Sequence, residues 1–501
     1  MKNYAAIRKR VLIGVAITLF LLGGCDTTES DEVAPLGQCN EQLDSVDVVS
    51  IVEEGIAQAT RLSQNVTIAV SDREGNVLAV FEMTGSNGTV DESIRKARTA
   101  AYLSSNQQAF TTLTACFITR PHFPPGVANT PGGPLYGVGF SSLPDGDVQP
   151  NAGPLSDQPG GVPLYKNGCL VGAVGVAGGV SSFDPPTCSG SSTDEMIAFG
   201  AGLDFSVPSD KRGDNLLIDG IRILFANAPA STRALSVALN GSYVVPASPP
   251  FPSPRFPAEG FVTLGGGFDF PIINGTVLTM DEVRRIIDQA SSQAGRTRAA
   301  IRLPMGAPAQ VFISVVDTNG AILGIWRTPD ATLFSFDVSA QKARTAVAFS
   351  SPGNVEFGQR LRSILGMPPT SGLAVTTRAV GFLAQDFFPP GIDRTTLGRT
   401  VVPGPLYEGP NFAYQNRLFQ QANLPAFGNG ITIFPGGLPL YKNGVLAGAI
   451  GVSGDGVDQD DLIAFAGAIG FEPPDALRCD NFSYEAVRLP YVKFPRHPEI
   501  P

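Results

Sequence analysis

Apolar residues alternate with polar ones in IAVSDREGNVLAVF (68–81) and again in ISVVDTNGAILGIW (313–326), each run broken at a turn that ends in Gly75 or Gly320. Period-two alternation around a glycine turn predicts a β-hairpin at both places. Before each hairpin the apolar period lengthens to that of a helix, in VVSIVEEGIAQA (48–59) and LTMDEVRRIIDQA (278–290), and Thr279 with Glu282 forms a capping box in the second. After each hairpin come DESIRKARTAAYLSS (91–105) and DVSAQKARTAVAFSS (337–351), identical at seven of the ten positions that start at Lys96 and Lys342. Asp91 and Asp337 lie five residues before the lysine, which predicts them as N-caps and puts KARTA early on a helix.

The same doubling continues. GGVPLYKNGCLVGAVGVAGG (160–179) and GGLPLYKNGVLAGAIGVSGD (436–455) agree at fourteen of twenty positions. Asn167-Gly168 and Asn443-Gly444 are type I′ turn dipeptides, so each block predicts a second hairpin. A phosphate loop is excluded, because neither block has G-K-[ST] or runs straight into a helix. Glycines 172, 175, 448 and 451 remove side chains from one strand, where a packed helix or a ligand comes close. TDEMIAFGAGLDF (193–205) and QDDLIAFAGAIGF (459–471) then predict a short helix with Asp194 or Asp460 as its cap, and DNLLIDGIRILF (214–225) pairs with DNFSYEAVRLPY (480–491) as a closing strand.

Helix, hairpin, helix, long loop, hairpin, helix, read twice, predicts an α+β fold of two similar domains, each a largely antiparallel sheet with packed helices. The boundaries are residues 45–230 and 278–501, with a proline- and glycine-rich linker at 231–277 expected to be a stiff, exposed connector. The spacing of matched blocks grows from 246 residues at Lys96/Lys342 to 276 at Gly160/Gly436, which places an insertion in the middle loop of the second repeat, between residues 371 and 434.

Composition adds a class and an address. The formal charge is -10, so nucleic acid is excluded as a partner. Residues 1–24 carry Lys2, Arg8, Lys9 and Arg10 ahead of an apolar run, Val11 to Leu22, that is too short to span a bilayer and ends in Leu22-Gly23-Gly24-Cys25. That is a secretory signal, and its last four residues resemble the lipobox of bacterial lipoproteins. By that resemblance Cys25 is the lipidated residue, residues 25–44 are an acidic tether, and the protein faces the periplasm or exterior from a membrane of the cell envelope. Cys39, Cys116, Cys169, Cys188 and Cys479 allow at most two internal disulfides, one of them expected between Cys188 and either Cys169 or Cys116.

Taken in order, V-x-D-x-x-G, K-A-x-T-A, G-G-x-P-x-x-x-x-G-x-x-x-G-A-x-G-V-x-G and D-[ED] resemble the GlcG/HbpS-like haem-binding family, which includes the C-terminal domain of some cobalamin adenosyltransferases. The resemblance spans residues 48–205 and 278–471. It implies haem or a related flat acidic small molecule as ligand, and a pseudo-dimer of the two repeats or a homo-oligomer. On that reading Lys96, Arg98, Lys342 and Arg344 meet ligand carboxylates, Gly175 and Gly451 let the ligand approach, and Met83 and His122 reach the iron. A solvated helix face for the cations, a packed position for Met83 and a plain loop position for His122 are the alternatives. The chain departs from the family in reading EMTGS (82–86) and RTPDA (327–331) where many members have an R-M-D-G-A-like stretch. His122 is matched by Phe387 in the second repeat, and the other histidine, His497, lies in the tail. The acidic GDGVDQDD (454–461) lacks the ligand alternation of a calcium loop and is expected to be solvated. A structural lipoprotein with a filled pocket, or an enzyme acting on haem or a cofactor, are the competing functions. No nucleophile with a histidine base recurs to support the enzyme.

Overall fold

The alternating segments form the hairpins their pattern predicts, and each hairpin pair builds one sheet. This computed structural model describes residues 39–136, 138, 146–149, 153–227, 232–234, 237–247, 256–264, 268–385, 388–390, 402–407 and 427–495. The signal, Cys25, Phe387 and His497 lie outside the described residues. In the first repeat, α1 (Ser45–Arg61) leads to β1 (Thr67–Asp72), β2 (Val77–Met83), α2 (Val90–Leu103), α3 (Thr112–Thr119), β3 (Gly161–Lys166), β4 (Cys169–Ala177) and α4 (Thr193–Ala201). After the short strands β5 (Leu217–Ile218) and β6 (Ile221–Arg222), β7 (Gly241–Val245) closes the sheet order β3-β4-β1-β2-β7.

The second repeat repeats it. β8 (Gly260–Phe261), α5 (Met280–Ala294), β9 (Val311–Val316), β10 (Ile322–Arg327), α6 (Phe334–Ser350), α7 (Arg360–Ile364), α8 (Thr377–Leu383), β11 (Gly437–Lys442), β12 (Val445–Gly454) and α9 (Val457–Gly467) precede a ribbon of β13 (Ser483–Tyr484) and β14 (Val487–Arg488). Its sheet order is β11-β12-β9-β10-β8, and every strand pair in both sheets is antiparallel. Asn167 (φ 50°), Gly168 (77°), Asn443 (52°) and Gly444 (78°) all take the left-handed conformation that a type I′ turn requires.

Period-two burial sends the two faces of each sheet into different cores. Ile68 and Val70 of β1 join α1 and α4 in one core, and Ile313 and Val315 of β9 join α5 and α9 in another. The opposite faces meet in a shared core that includes Ala100 and Tyr102 of α2 with Phe312, Phe336 and Ala343 of the second repeat. α6 lies so far inside that all of its residues are buried. The repeats thus pack as a pseudo-dimer within one compact unit, Leu36–Pro501. Among the described residues no helix is long and apolar enough to cross a membrane.

Several local expectations change. Thr89 caps α2 and Ser192 caps α4, while Asp91 and Asp194 sit inside their helices. α6 starts at Phe334, ahead of Asp337, and α9 has no side-chain cap, with Asp460 inside its first turn. Asp194 and Asp460 are drawn off by the distant Lys96 and Lys342, and Asp337 accepts from Asn429 Nδ2 at 2.9 Å, while Asp91 pairs with Arg95 one turn along its own helix. The linker is not a free connector: β7 pairs with β2, β8 pairs with β10, and Phe256 packs edge-on against Phe336 at 5.0 Å. The segments after α4 and α9 pair with themselves as the β5–β6 and β13–β14 ribbons, so they do not close the main sheets. The insertion starts earlier than expected. Thr112 and Thr377 hold equivalent glycines, Gly161 and Gly437, yet Val355–Gln359 and α7 intervene before Thr377 and have no counterpart in the first repeat. Arg362, fully buried, fastens that extra segment by donating to Ser350 O (2.8 Å) and Gly358 O (2.8 Å). Cys116 joins Cys188, one of the two expected pairings, and Cys39 joins Cys169, leaving Cys479 as a buried free thiol.

Candidate functional site

The seam between the KARTA helix and the glycine hairpin is where the repeated residues converge, and in both repeats it is closed. A Cβ on Gly175 would stand 2.0 Å from Ser93 O and 2.5 Å from Ala97 N, and on Gly451 2.0 Å from Ser339 O and 2.5 Å from Ala343 N. Those glycines exist so that helix backbone can lie directly on the strand, and the helix fills the space expected for a ligand. Gly161 and Gly437 serve the same approach: a Cβ at either would meet the carbonyl of Lys96 or Lys342 at 2.3 Å.

Lys96 and Lys342 are internal fasteners, contrary to the rim role. Lys96 Nζ donates to Asp194 Oδ2 (2.8 Å) and Val176 O (2.9 Å); Lys342 Nζ donates to Asp460 Oδ2 (2.7 Å) and Val452 O (2.8 Å). Each pair is almost wholly buried, tying helix, sheet and following helix at one point. The two pairs differ in one bond. Asp194 Oδ1 accepts Gly179 N–H at 2.7 Å, whereas Asp460 Oδ1 has no partner among the described residues. Burial raises the Asp460 carboxyl to about 7 despite the neighbouring ammonium, and burial lowers Lys342.

The arginines are likewise engaged. Arg98 Nε donates to Gly75 O and Arg344 Nε to Gly320 O, each at 3.0 Å, so each holds the turn of its own first hairpin. Arg344 also grips Asp147 of the first repeat through both terminal nitrogens at 2.8 Å, a bidentate bond across the pseudo-dimer. Met83 is buried in the core beneath α1, which removes it as a ligand. His122 stands in the loop after α3 with Nδ1 3.0 Å from Thr130 O. Among the described residues no group of three or more His, Cys, Asp or Glu is placed to hold a metal ion.

The acidic stretch expected in solvent is buried at Asp455, Asp460 and Asp461. Burial raises all three carboxyls, and each is answered by a cation: Arg302 for Asp455, Lys342 for Asp460, Arg378 for Asp461. Arg302 is fully buried and also donates to Asp330 Oδ2 (3.0 Å) and, across the pseudo-dimer, to Ser105 Oγ (3.2 Å) and Gln107 Oε1 (3.0 Å). Sequence reasoning missed this cluster, because Arg302 sits in an unrepeated segment and its partners lie 28 and 153 residues away.

Two hollows remain. One is an open groove of about 490 Å³ along the outer sides of α5 and α9, lined by alternating charges that include Asp281, Arg285 and Asp288. The other is a cavity of about 120 Å³ at the junction of the repeats. A flat macrocycle fits neither the closed seams nor that small cavity.

A family model described as "Haem degrading protein HbpS-like" matches residues 43–188 and 278–469. The corrinoid adenosyltransferase PduO of Salmonella typhimurium is 26% identical over 168 residues, covering 34% of this chain and 34% of PduO, so the chain spans about a third of that relative's length. Among solved structures, the Klebsiella pneumoniae protein ORFY has a TM-score of 0.24 at 24% identity, over 40% of this chain and 92% of that one. The crystal structure of a PduOC:Heme complex has a TM-score of 0.22 at 21% identity, over 42% of this chain and 99% of that one. The family model covers both repeats and more than half of the sequence, and the chain therefore belongs to the HbpS-like family, as a tandem duplication of it.

Proposed function

We propose that the protein is an envelope-anchored lipoprotein that binds haem or a related flat acidic molecule on its loop side, outside the helix–hairpin seams. The observation that carries this reading is the match of both repeats to a family model described by its relation to haem. His122 is the only histidine among the described residues and lies on a loop, which makes it the residue to test for iron contact. The anchor rests on Leu22-Gly23-Gly24-Cys25 behind a basic and then apolar start. Two disulfides support an oxidising compartment.

The closed seams favour a second reading, a structural lipoprotein that takes no ligand, since the fastening residues leave no slot between helix and hairpin. Titration with haemin separates the two. A saturable Soret shift that His122→Ala alters supports binding on the loop side; spectra unchanged from free haemin in both proteins leave the structural reading.

A further inference from the structure

The residues that repeat build the fold, so residues that break the repeat are where a private site belongs. The first hairpin turn carries Arg73 and Glu74 where the second repeat has Thr318 and Asn319, and β10 ends in Arg327 where β2 has Glu82. The pseudo-dimer brings these unmatched residues together. The cavity of about 120 Å³ at the junction is lined by Arg73, Glu74, Asn106, Phe256, Arg327 and Asp330, with Cys39 on its wall.

The charges around it are unevenly answered. Asp330 is engaged, accepting from Arg302 Nη1 (3.0 Å) and from Asn106 N (2.9 Å). Glu74 Oε1 accepts the backbone N–H of Phe256 at 3.0 Å. Arg327 is only 4% exposed, yet its terminal nitrogens reach neutral carbonyls alone, Pro257 O and Ala331 O, each at 2.7 Å. Its Nε has no partner among the described residues. Arg73 is half-buried and makes no hydrogen bond or ion pair among the described residues. Burial, and then the Arg73 charge, pull the Arg327 pKa down to about 9, against the opposing pull of Asp330 and Glu74. A buried guanidinium that makes no ion pair among the described residues is costly, and a forked donor is shaped for an oxyanion.

We propose that this junction cavity binds a small oxyanion, a carboxylate or phosphate group, between Arg73 and Arg327. Its volume holds a handful of water-sized groups, at about 30 Å³ each, so it suits acetate or inorganic phosphate and excludes a macrocycle. The site is independent of the haem reading, because its residues belong to neither seam nor to the His122 loop.

The test is a thermal-shift and calorimetric titration of the full processed protein with inorganic phosphate and, separately, with acetate, each against chloride at equal ionic strength. A saturable response to either anion is expected. Phosphate alone identifies a phosphate site, and acetate alone a carboxylate site. Arg73→Gln, at a half-buried position, is expected to weaken that response by about tenfold or more, the loss of one charge-assisted fork. No saturable response to either anion, or a response of equal affinity in Arg73→Gln, overturns the proposal.

Discussion

Lys342→Met leaves the Asp460 carboxyl buried without its cation. Nζ gives Asp460 Oδ2 its bond at 2.7 Å, and Oδ1 has no partner among the described residues to compensate. Removing one member of a buried pair costs about 3–5 kcal/mol, whereas replacing both members with apolar residues is often neutral. The double variant Lys342→Met/Asp460→Leu is therefore expected to recover at least about half of the loss. pH adds a second reading of the same group. Burial raises Asp460 to about 7, above its unfolded value, so folding takes up a proton there. That contribution is fully present below the unfolded carboxylate pKa and is lost as pH rises through about 7. Urea unfolding followed by circular dichroism, disulfides intact, at about pH 5 and about pH 8 measures both effects as midpoint shifts. Asp460→Asn is expected to flatten the dependence seen in wild type. At about pH 8, where Asp460 is ionised, a Lys342→Met midpoint equal to wild type, or a double variant as weak as the single, refutes the reasoning.

Gly451→Ala places a Cβ 2.0 Å from Ser339 O, so a loss of about 1–3 kcal/mol from overpacking is expected in thermal melts, with Gly175→Ala parallel to it in the first repeat. Arg302→Met strands Asp330 and Asp455 in the interior and is expected to cost at least about 3 kcal/mol, with faster hydrogen exchange at Asn106, whose N–H is held by Asp330. Cys39→Ser opens a loop of 130 residues in the unfolded chain and is expected to cost about 2–4 kcal/mol, read as a lower denaturation midpoint under oxidising conditions.

Much of the architecture is legible in the sequence alone. Period-two alternation, the Asn-Gly dipeptides and the Thr279/Glu282 box each specify a local backbone state, and the structure shows all of them. The recurrence of KARTA and the glycine block told that the fold is doubled, because closely matched peptides in the same order build sheets of the same topology. The role of those motifs was not legible. A lysine on a helix and an aspartate opening another look alike whether they meet solvent, a ligand or each other.

What the sequence determined by itself is therefore the set of elements and their duplication, since periodicity and turn chemistry act over a few residues. What only the tertiary structure decided is the use of each charge. Lys96 finds Asp194 across 98 residues, Arg344 finds Asp147 across 197, and Arg302 finds Asp455 across 153. Those pairings depend on how two sheets and the fully buried α6 dock, and burial then fixes which carboxylates and cations must answer one another. Docking also brought Arg73 and Arg327 to one cavity, from two repeats whose own patterns give no sign that they meet.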